Sequence, residues 1–201
     1  MTRFKLALII VGGVLVFFGI QEMRLSSGCK AEPKKLTCAE LSANGPGDNS
    51  HIQLTDFVLP ESVFVYNESS KGGGWTCIWI PAVPLDGDYV KEYQKAMEAG
   101  GQPPAPTGLK VIVKSKGVRT EKDLEALAKK DMIQGVVINK VEAVSGEEKK
   151  ILVQNYPGSN IDTCWILEVG RTPSGMGKLA GFFGGGIVCA GLGVVLMLAK
   201  K

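Results

Sequence analysis

The longest hydrophobic stretches lie at the two ends of the chain. Residues 179–199 are 21 consecutive residues without a charge, and a helix of roughly 1.5 Å per residue would make them about as long as a hydrocarbon core is thick. Residues 6–20 form a second charge-free run of 15 residues, which is short for a span. The pattern predicts one transmembrane helix at each end, with the stronger signal at the C-terminus.

The N-terminal run has three interpretations. A basic start at Arg3 and Lys5 followed by an apolar run is also typical of a secretory signal peptide. Cleavage near Gly28 and attachment of a lipid to Cys29 are the alternatives to an uncleaved signal anchor, which we expect. All three place residues 30–175 on the same side of the membrane.

Helix starts between the two runs are marked by capping boxes, in which a hydroxyl residue is followed three positions later by an acid. The three pairs are Thr37 with Glu40, Thr120 with Asp123, and Ser145 with Glu148. The helices are expected to end near residues 44, 130 and 155. A fourth helix is predicted over 88–99, where aromatic and apolar residues recur on one face.

Strand-like segments separate these helices. The candidates are 52–59, 63–66, 75–80, 109–114, 135–143 and 161–169. Strands dominate the first half, and strands alternate with helices in the second half. We therefore predict an α+β fold with a mixed sheet and short helices on one face, and a doubly wound α/β domain is the alternative.

The predicted elements divide the chain into five parts. These are an N-terminal signal anchor or transmembrane helix over 1–23, a linker over 24–35, an extracytoplasmic α+β domain over 36–170, a linker over 171–178, and a C-terminal transmembrane helix over 179–199.

Charge is distributed in a way that bears on topology. The chain has 23 Lys and Arg against 20 Asp and Glu. Four of these cations lie between an apolar run and the nearer chain end, at Arg3, Lys5, Lys200 and Lys201. The basic excess at the two ends argues against a nucleic-acid interface, and the positive-inside bias predicts cytoplasmic termini with an extracytoplasmic middle.

The cysteines are compatible with disulfides in such a compartment. Four lie in the predicted translocated part, at Cys29, Cys38, Cys77 and Cys164, which allow three pairings. Since no Cys-x-x-Cys occurs, neither a thioredoxin-type redox pair nor a zinc knuckle is supported. We expect at least one disulfide and favour Cys77 with Cys164, and buried free thiols are the alternative.

Catalytic motifs are sparse in this sequence. His51 is the only histidine, which excludes a multi-histidine metal site, and no Gly-x-Ser-x-Gly elbow occurs. Asp56, Glu61 and Glu92 have no spacing that pairs them as catalytic acids. The glycines of 71–74 precede a strand rather than a helix, which is unlike a phosphate-binding loop. We expect no cofactor and no metal, and we lean against an enzyme.

Small residues recur every four positions near the C-terminal run. They are Gly177, Gly181, Gly185, Cys189 and Gly193. Such a stripe lets another helix approach closely. We predict that it packs against the first helix, which offers Gly12, Gly13 and Gly19, with homodimerisation through the same stripe as the alternative.

Together these features predict a membrane-anchored extracytoplasmic interaction or assembly domain. Its expected partners are the lipid bilayer and either a membrane or envelope protein or a second copy of the chain, with no nucleic acid. In architecture alone it resembles bacterial assembly factors for respiratory oxidases, and this likeness assigns no residue a role. The alternatives are an envelope enzyme built from His51 and sequence-distant acids, and a binding module for a lipid or small ligand.

Overall fold

A computed structural model describes residues 2–69, 72–101, 104, 106–138 and 146–199. The chain divides into two compact units, one made of Met1–Gly28 with Pro173–Lys201 and the other of Cys29–Thr172. The fold is α+β, as the sequence predicts.

The first unit is a pair of antiparallel helices. Helix α1 spans Thr2–Ser27 and helix α6 spans Met176–Leu198. Both are long and apolar enough to cross a membrane, with mean hydropathies of 2.2 and 2.1 in their most apolar windows. Helix α1 extends well beyond the predicted 15-residue run because Glu22, Met23 and Leu25 are good helix formers that prolong it.

The second unit contains an eight-stranded sheet and four α-helices in the described residues. The strands are β1 (Lys34–Thr37), β2 (His51–Thr55), β3 (Phe57–Val58), β4 (Val65–Glu68), β5 (Trp75–Pro84), β6 (Val111–Ser115), β7 (Met132–Val137) and β8 (Trp165–Val169). The helices are α2 (Cys38–Asn44), α3 (Asp88–Glu98), α4 (Glu121–Ala128) and α5 (Gly146–Asn155), with short 3-10 turns over Glu61–Val63 and Ile161–Thr163.

The sheet is mixed, with the strand order β1-β2-β7-β8-β6-β5-β3 and with β4 also paired to β5. The β1–β2 and β6–β8 pairs are parallel, and the other pairs are antiparallel. Strand β5 is long enough for β4 to pair with its first half and β3 with its end. This strand therefore organises one side of the sheet.

Helices cover both faces of the sheet, so the prediction of helices on one face is wrong. Alternate residues of a strand point to opposite faces. Ile78 and Ile80 of β5 accordingly pack in a core with residues of α2 and α4, whereas Trp79 packs in a second core with Val90 of α3 and Leu152 of α5. The sequence pattern of each helix marks an apolar stripe but does not say which face of the sheet receives it.

Two of the predicted capping boxes are confirmed. The hydroxyl oxygens of Thr37 and Thr120 accept hydrogen bonds from the backbone N–H groups of Glu40 and Asp123, and each carboxylate in turn accepts from the backbone N–H of its threonine. The third box depends on Ser145, which lies outside the described residues. Helix α5 nevertheless ends at Asn155, as predicted.

Several strand boundaries differ from the prediction. The single strand expected over 52–59 is divided at Asp56, whose φ of 53° lies in the left-handed region and turns the chain between β2 and β3. Strand β7 begins earlier than expected, and part of the predicted 135–143 segment lies outside the described residues. Strand β1 was not predicted because its sequence is short and charged, and it forms by pairing with β2.

Candidate functional site

Cys77 and Cys164 lie at opposite ends of β6. Cys164 lies one residue before Trp165, which pairs with Val111 at the start of β6. Cys77 lies one residue before Ile78, which pairs with Ser115 at the end of β6. The two cysteines are therefore separated by about six residues, or roughly 20 Å, along the strand direction. A disulfide needs Cα atoms within about 7 Å. The structure therefore does not bring this favoured pair together.

The buried thiols are held in their protonated form. Burial raises the pKa of Cys38 to about 12, and it raises the pKa values of Cys77 and Cys164 to about 11. The thiol of Cys38 donates to the carbonyl oxygen of Ala82, and that of Cys164 lies 3.1 Å from the carbonyl oxygen of Leu109. Such thiols are poor nucleophiles and serve as packing residues.

His51 is buried within a hydrogen-bond network at the start of β2. Its Nδ1 lies 3.0 Å from the carbonyl oxygen of Lys30, and its Nε2 lies 2.9 Å from the side-chain amide of Gln134. Because a carbonyl oxygen only accepts, Nδ1 carries the proton and Nε2 accepts from the amide. Both ring nitrogens are thus used to join β2, β7 and the preceding loop, and the arrangement is that of a structural histidine.

The three carboxylates considered as acids do not share one site. Glu61 lines a cavity described below, whereas Asp56 and Glu92 are exposed and do not line it. Within the described ranges, no group of three His, Cys, Asp or Glu side chains is placed to hold a metal ion.

A row of paired residues crosses the sheet on the face that packs against α5. The row is His51, Val136, Glu168, Lys114, Trp79 and Val65, one residue from each of six strands. Two of its members, Lys114 and Glu168, are charged and less than 10% exposed.

Each buried charge of this row has an ionic partner. The ammonium of Lys114 lies 3.3 Å from a carboxylate oxygen of Glu148 and 5.5 Å from the centre of the Trp79 ring. Glu168 accepts from Lys116 at 2.7 Å and from Arg171 at 2.8 Å. Burial alone would raise the pKa of Glu168. The hydrogen bonds and positive charges of Lys116 and Arg171 lower it by more, so the pKa of Glu168 lies below its ordinary value.

The glycine stripe predicted on α6 is only partly at the helix interface. A Cβ built on Gly177 or Gly181 meets nothing within 4 Å, and one built on Gly185 reaches only the edge of Leu15 at 3.9 Å. Among the four glycines of this predicted stripe on α6, only Gly193 makes close contact, since a Cβ built there would lie 2.6 Å from Cγ1 of Ile9. The predicted four-residue spacing is therefore not the spacing of the contact between α1 and α6.

The two helices instead meet through glycines seven residues apart. A Cβ built on Gly12 would lie 2.6 Å from the carbonyl oxygen of Gly186, and one built on Gly19 would lie 3.1 Å from the Cβ of Phe182. Gly12 and Gly19 are seven apart on α1, as are Gly186 and Gly193 on α6. A seven-residue repeat keeps one seam facing a partner helix in left-handed packing. Sequence reasoning missed Gly186 because it followed the longer run of small residues.

Polar contacts hold both ends of this helix pair. At one end, the ammonium of Lys5 is buried and donates to the carbonyl oxygen of Leu196, in the last turn of α6. At the other end, Glu22 accepts from the hydroxyl of Ser174 at 2.6 Å and lies 3.7 Å from the ammonium of Lys178. A cation near the last carbonyls of a helix is favourable because those carbonyls carry partial negative charge.

A cavity of about 660 Å³ opens between the 3-10 turn over Glu61–Val63, helix α3 and the end of α4. Its lining is mainly apolar, with polar atoms from two tyrosines and three other residues. The lining residues are Val58, Leu59, Pro60, Glu61, Ser62, Tyr89, Val90, Tyr93, Ala128 and Lys129. This volume and mixture are typical of a small-molecule site.

An aromatic cluster lies beside the start of β5. The ring centre of Phe64 lies 5.6 Å from that of Tyr66 and 4.9 Å from that of Trp75, and the Tyr66 and Trp75 centres are 5.1 Å apart. Tyr66 is 42% exposed and lies on β4, which pairs only with β5 among the described strands. Exposed aromatic side chains are enriched at protein interfaces.

Comparison of the chain with protein-family models, with curated proteins and with solved structures gives no match.

Proposed function

We propose that this protein is a two-pass membrane protein that presents its α+β domain outside the cytoplasm as an interaction or assembly module. The observation that carries the proposal is the apolar outer surface of α1 and α6. Only 17% and 11% of their most apolar windows are buried, whereas a helix in the core of a soluble protein is buried on most sides.

The side chains on this surface are large and apolar. On α1 the exposed ones include Phe4, Leu6, Ile10, Val11, Val14, Phe17, Phe18 and Met23, and on α6 they include Ile187, Val188, Leu192, Val194, Val195 and Leu198. Exposing such a surface to water would be costly, since each buried CH₂ is worth about 0.8 kcal/mol. A lipid environment removes this cost.

The polar contacts of the helix pair mark the two ends of the apolar surface. Lys5 and Glu22 are 17 residues apart on α1, or roughly 26 Å along the helix axis. This separation is close to the thickness of a hydrocarbon core, about 30 Å. The buried Lys5 would then lie near one interface, where a lysine can keep its ammonium in a polar environment.

Reporter fusions test the topology. A reporter that is active only outside the cytoplasm should be active when inserted after Gly117 and silent when fused after Lys201. The protein should also remain in the membrane pellet after alkaline carbonate extraction. Release into the supernatant, or the opposite reporter pattern, would contradict the proposal.

A photo-crosslinking amino acid tests the interaction role. Placed at Tyr66 in the aromatic cluster, it should give a discrete adduct of reproducible mass in cells. The matched control is Glu98, which is exposed at the end of α3 and belongs to none of the ring pairs of the cluster. Equal adducts at both positions, or none at Tyr66, would argue against an interface at this cluster.

A further inference from the structure

The cavity beside α3 has a charge pattern that selects among ligands. Two charged residues line it, Glu61 and Lys129. The ammonium of Lys129 lies 3.6 Å from a carboxylate oxygen of Glu125, one turn earlier on the same chain segment. Glu61 has no cationic partner within 4.0 Å among the described residues. Glu61, Lys129 and Glu125 together carry one net negative charge, so the charged groups at this cavity favour a cation.

Two tyrosines give the cavity an aromatic wall. Tyr89 and Tyr93 are one turn apart on α3, both are half-buried, and their ring centres are 6.2 Å apart at an angle of 47°. The hydroxyl of Tyr89 donates to the carbonyl oxygen of Pro104, which fixes the orientation of that ring. Burial, with the neighbouring Tyr93, raises the pKa of Tyr89, so its phenol stays neutral. The faces of such rings attract organic cations.

The remaining lining narrows the ligand class further. Val58, Leu59, Pro60, Val90 and Ala128 supply apolar surface for a hydrocarbon body. A divalent metal is a poor match because Ca²⁺ and Mg²⁺ require several oxygen ligands, and one carboxylate lines the cavity. An anionic ligand would be repelled by the carboxylate of Glu61, and the ammonium of Lys129 is already paired with Glu125.

We propose that this cavity binds an organic cation, in which a substituted ammonium group is attached to an apolar body. The ammonium lies against Tyr89 and Tyr93 near the carboxylate of Glu61, and the apolar body occupies the space between Leu59 and Val90. The same chemistry is offered by a free aromatic or alkyl amine and by the choline headgroup of a lipid. The inference does not depend on the membrane topology proposed above.

Calorimetric titration of the full chain in neutral detergent micelles tests this proposal. The probe is benzyltrimethylammonium, and the anionic counterpart of similar size is phenylacetate. The ammonium compound should bind and phenylacetate should not. Glu61→Gln and Tyr93→Leu should each weaken binding of the ammonium probe on the order of tenfold. The dissociation constants of the variants are compared in identical micelles. Partition of the probe into detergent is then the same in every titration and does not affect the ratio between variants.

Matched variants separate a site from a general effect. Glu92→Gln removes an exposed carboxylate of α3 that does not line the cavity, and it should leave the affinity unchanged. Tyr93→Phe keeps the ring and should retain binding even if Tyr93→Leu disturbs the fold. Equal binding of phenylacetate, or unchanged affinity in Glu61→Gln, would overturn the proposal.

A competition arm identifies the source of the cation. Dihexanoylphosphocholine, used below its critical micelle concentration, should displace the probe at a lower concentration than free choline if the natural ligand is a lipid headgroup. Displacement by choline at an equal or lower concentration would indicate a free small molecule. Failure of both compounds to displace the probe would contradict recognition of the substituted ammonium group.

Discussion

Replacing Gly186 by leucine should separate the two terminal helices. A Cβ at this position would lie 2.7 Å from Cγ2 of Val16 and 2.9 Å from the carbonyl oxygen of Gly12. Because carbon atoms pack at about 3.5–4.0 Å, this one atom requires a displacement of about 1 Å, and the rest of the leucine side chain enlarges it. Overpacking of this kind costs about 1–3 kcal/mol, which corresponds to a roughly five- to 150-fold change in the paired population.

An engineered disulfide measures the pairing. Gly19→Cys with Phe182→Cys is suitable because a Cβ built on Gly19 lies 3.1 Å from the Cβ of Phe182, close to the spacing of a disulfide. Cys164 and Cys189 are replaced by alanine, and a protease site is inserted at the exposed Gly100–Gly101. After cleavage, only a cross-link holds the two fragments together on a non-reducing gel.

The matched control is Gly181→Leu, since a Cβ at this position on the same helix meets nothing within 4 Å. We expect the cross-linking rate to fall at least fivefold in Gly186→Leu and to change little in Gly181→Leu. Equal loss in both variants would mean that any added bulk disturbs the helix pair. An unchanged rate in Gly186→Leu would refute the contact seam described above.

Three further predictions concern the α+β domain, whose unfolding in urea can be followed by the fluorescence of the three tryptophans, all of which lie in it. Thr120→Ala removes the hydroxyl that caps α4 and should lower the free energy of unfolding by about 1 kcal/mol; no change in the urea midpoint would contradict the cap. Gly135→Ala places a Cβ against the carbonyl oxygen of Glu168 and should destabilise the domain by about 1–3 kcal/mol, whereas Gly117→Ala has room and should not. The folded-state pKa of Glu168 is lowered, so the stability that its ion pairs provide is present above the ordinary pKa of 4.5 and lost as the pH falls through the folded value. Below pH 4.5 the stability of Glu168→Gln should therefore fall less steeply than that of the parent; parallel pH profiles would argue against these ion pairs.

Local sequence signals predicted the features that depend on a few neighbouring residues. The capping boxes at Thr37 and Thr120 were predicted because a hydroxyl and an acid three positions later act within one turn. The extents of α3 and of the C-terminal helix were also predicted, since each has a clear apolar pattern and a clear end. Gly45 ends α2 because its φ of 69° lies in the left-handed region, which a helix cannot continue through.

Features that depend on distant contacts were not predictable in the same way. Helices α2 and α5 pack on opposite faces of the sheet. The face that each helix covers depends on the path of the connections to the neighbouring strands, and the sequence of the helix itself does not indicate it. Strand β1 is charged at Lys34 and Lys35 and exists because β2 is available beside it. The contact between the terminal helices runs through Gly12 and Gly186. Helix α6 has several rows of small residues, and its sequence alone does not indicate which row packs against α1. The cavity joins residues from three separate segments, and only Tyr89 and Tyr93 have a spacing that the sequence could show.

The strand order has a consequence for the way in which this domain is made. Strands β1 and β2 leave the ribosome early, but the next partner of β2 is β7, about 80 residues further along the chain. Until β7 and β8 have been synthesised, the edge of β2 has no neighbour on that side. Chains in which long-range pairs must close before the sheet is complete fold slowly and expose strand edges in the meantime. The N-terminal half is therefore a segment that requires protection from misassociation during synthesis, and a chain truncated before β7 would be expected to aggregate rather than to fold.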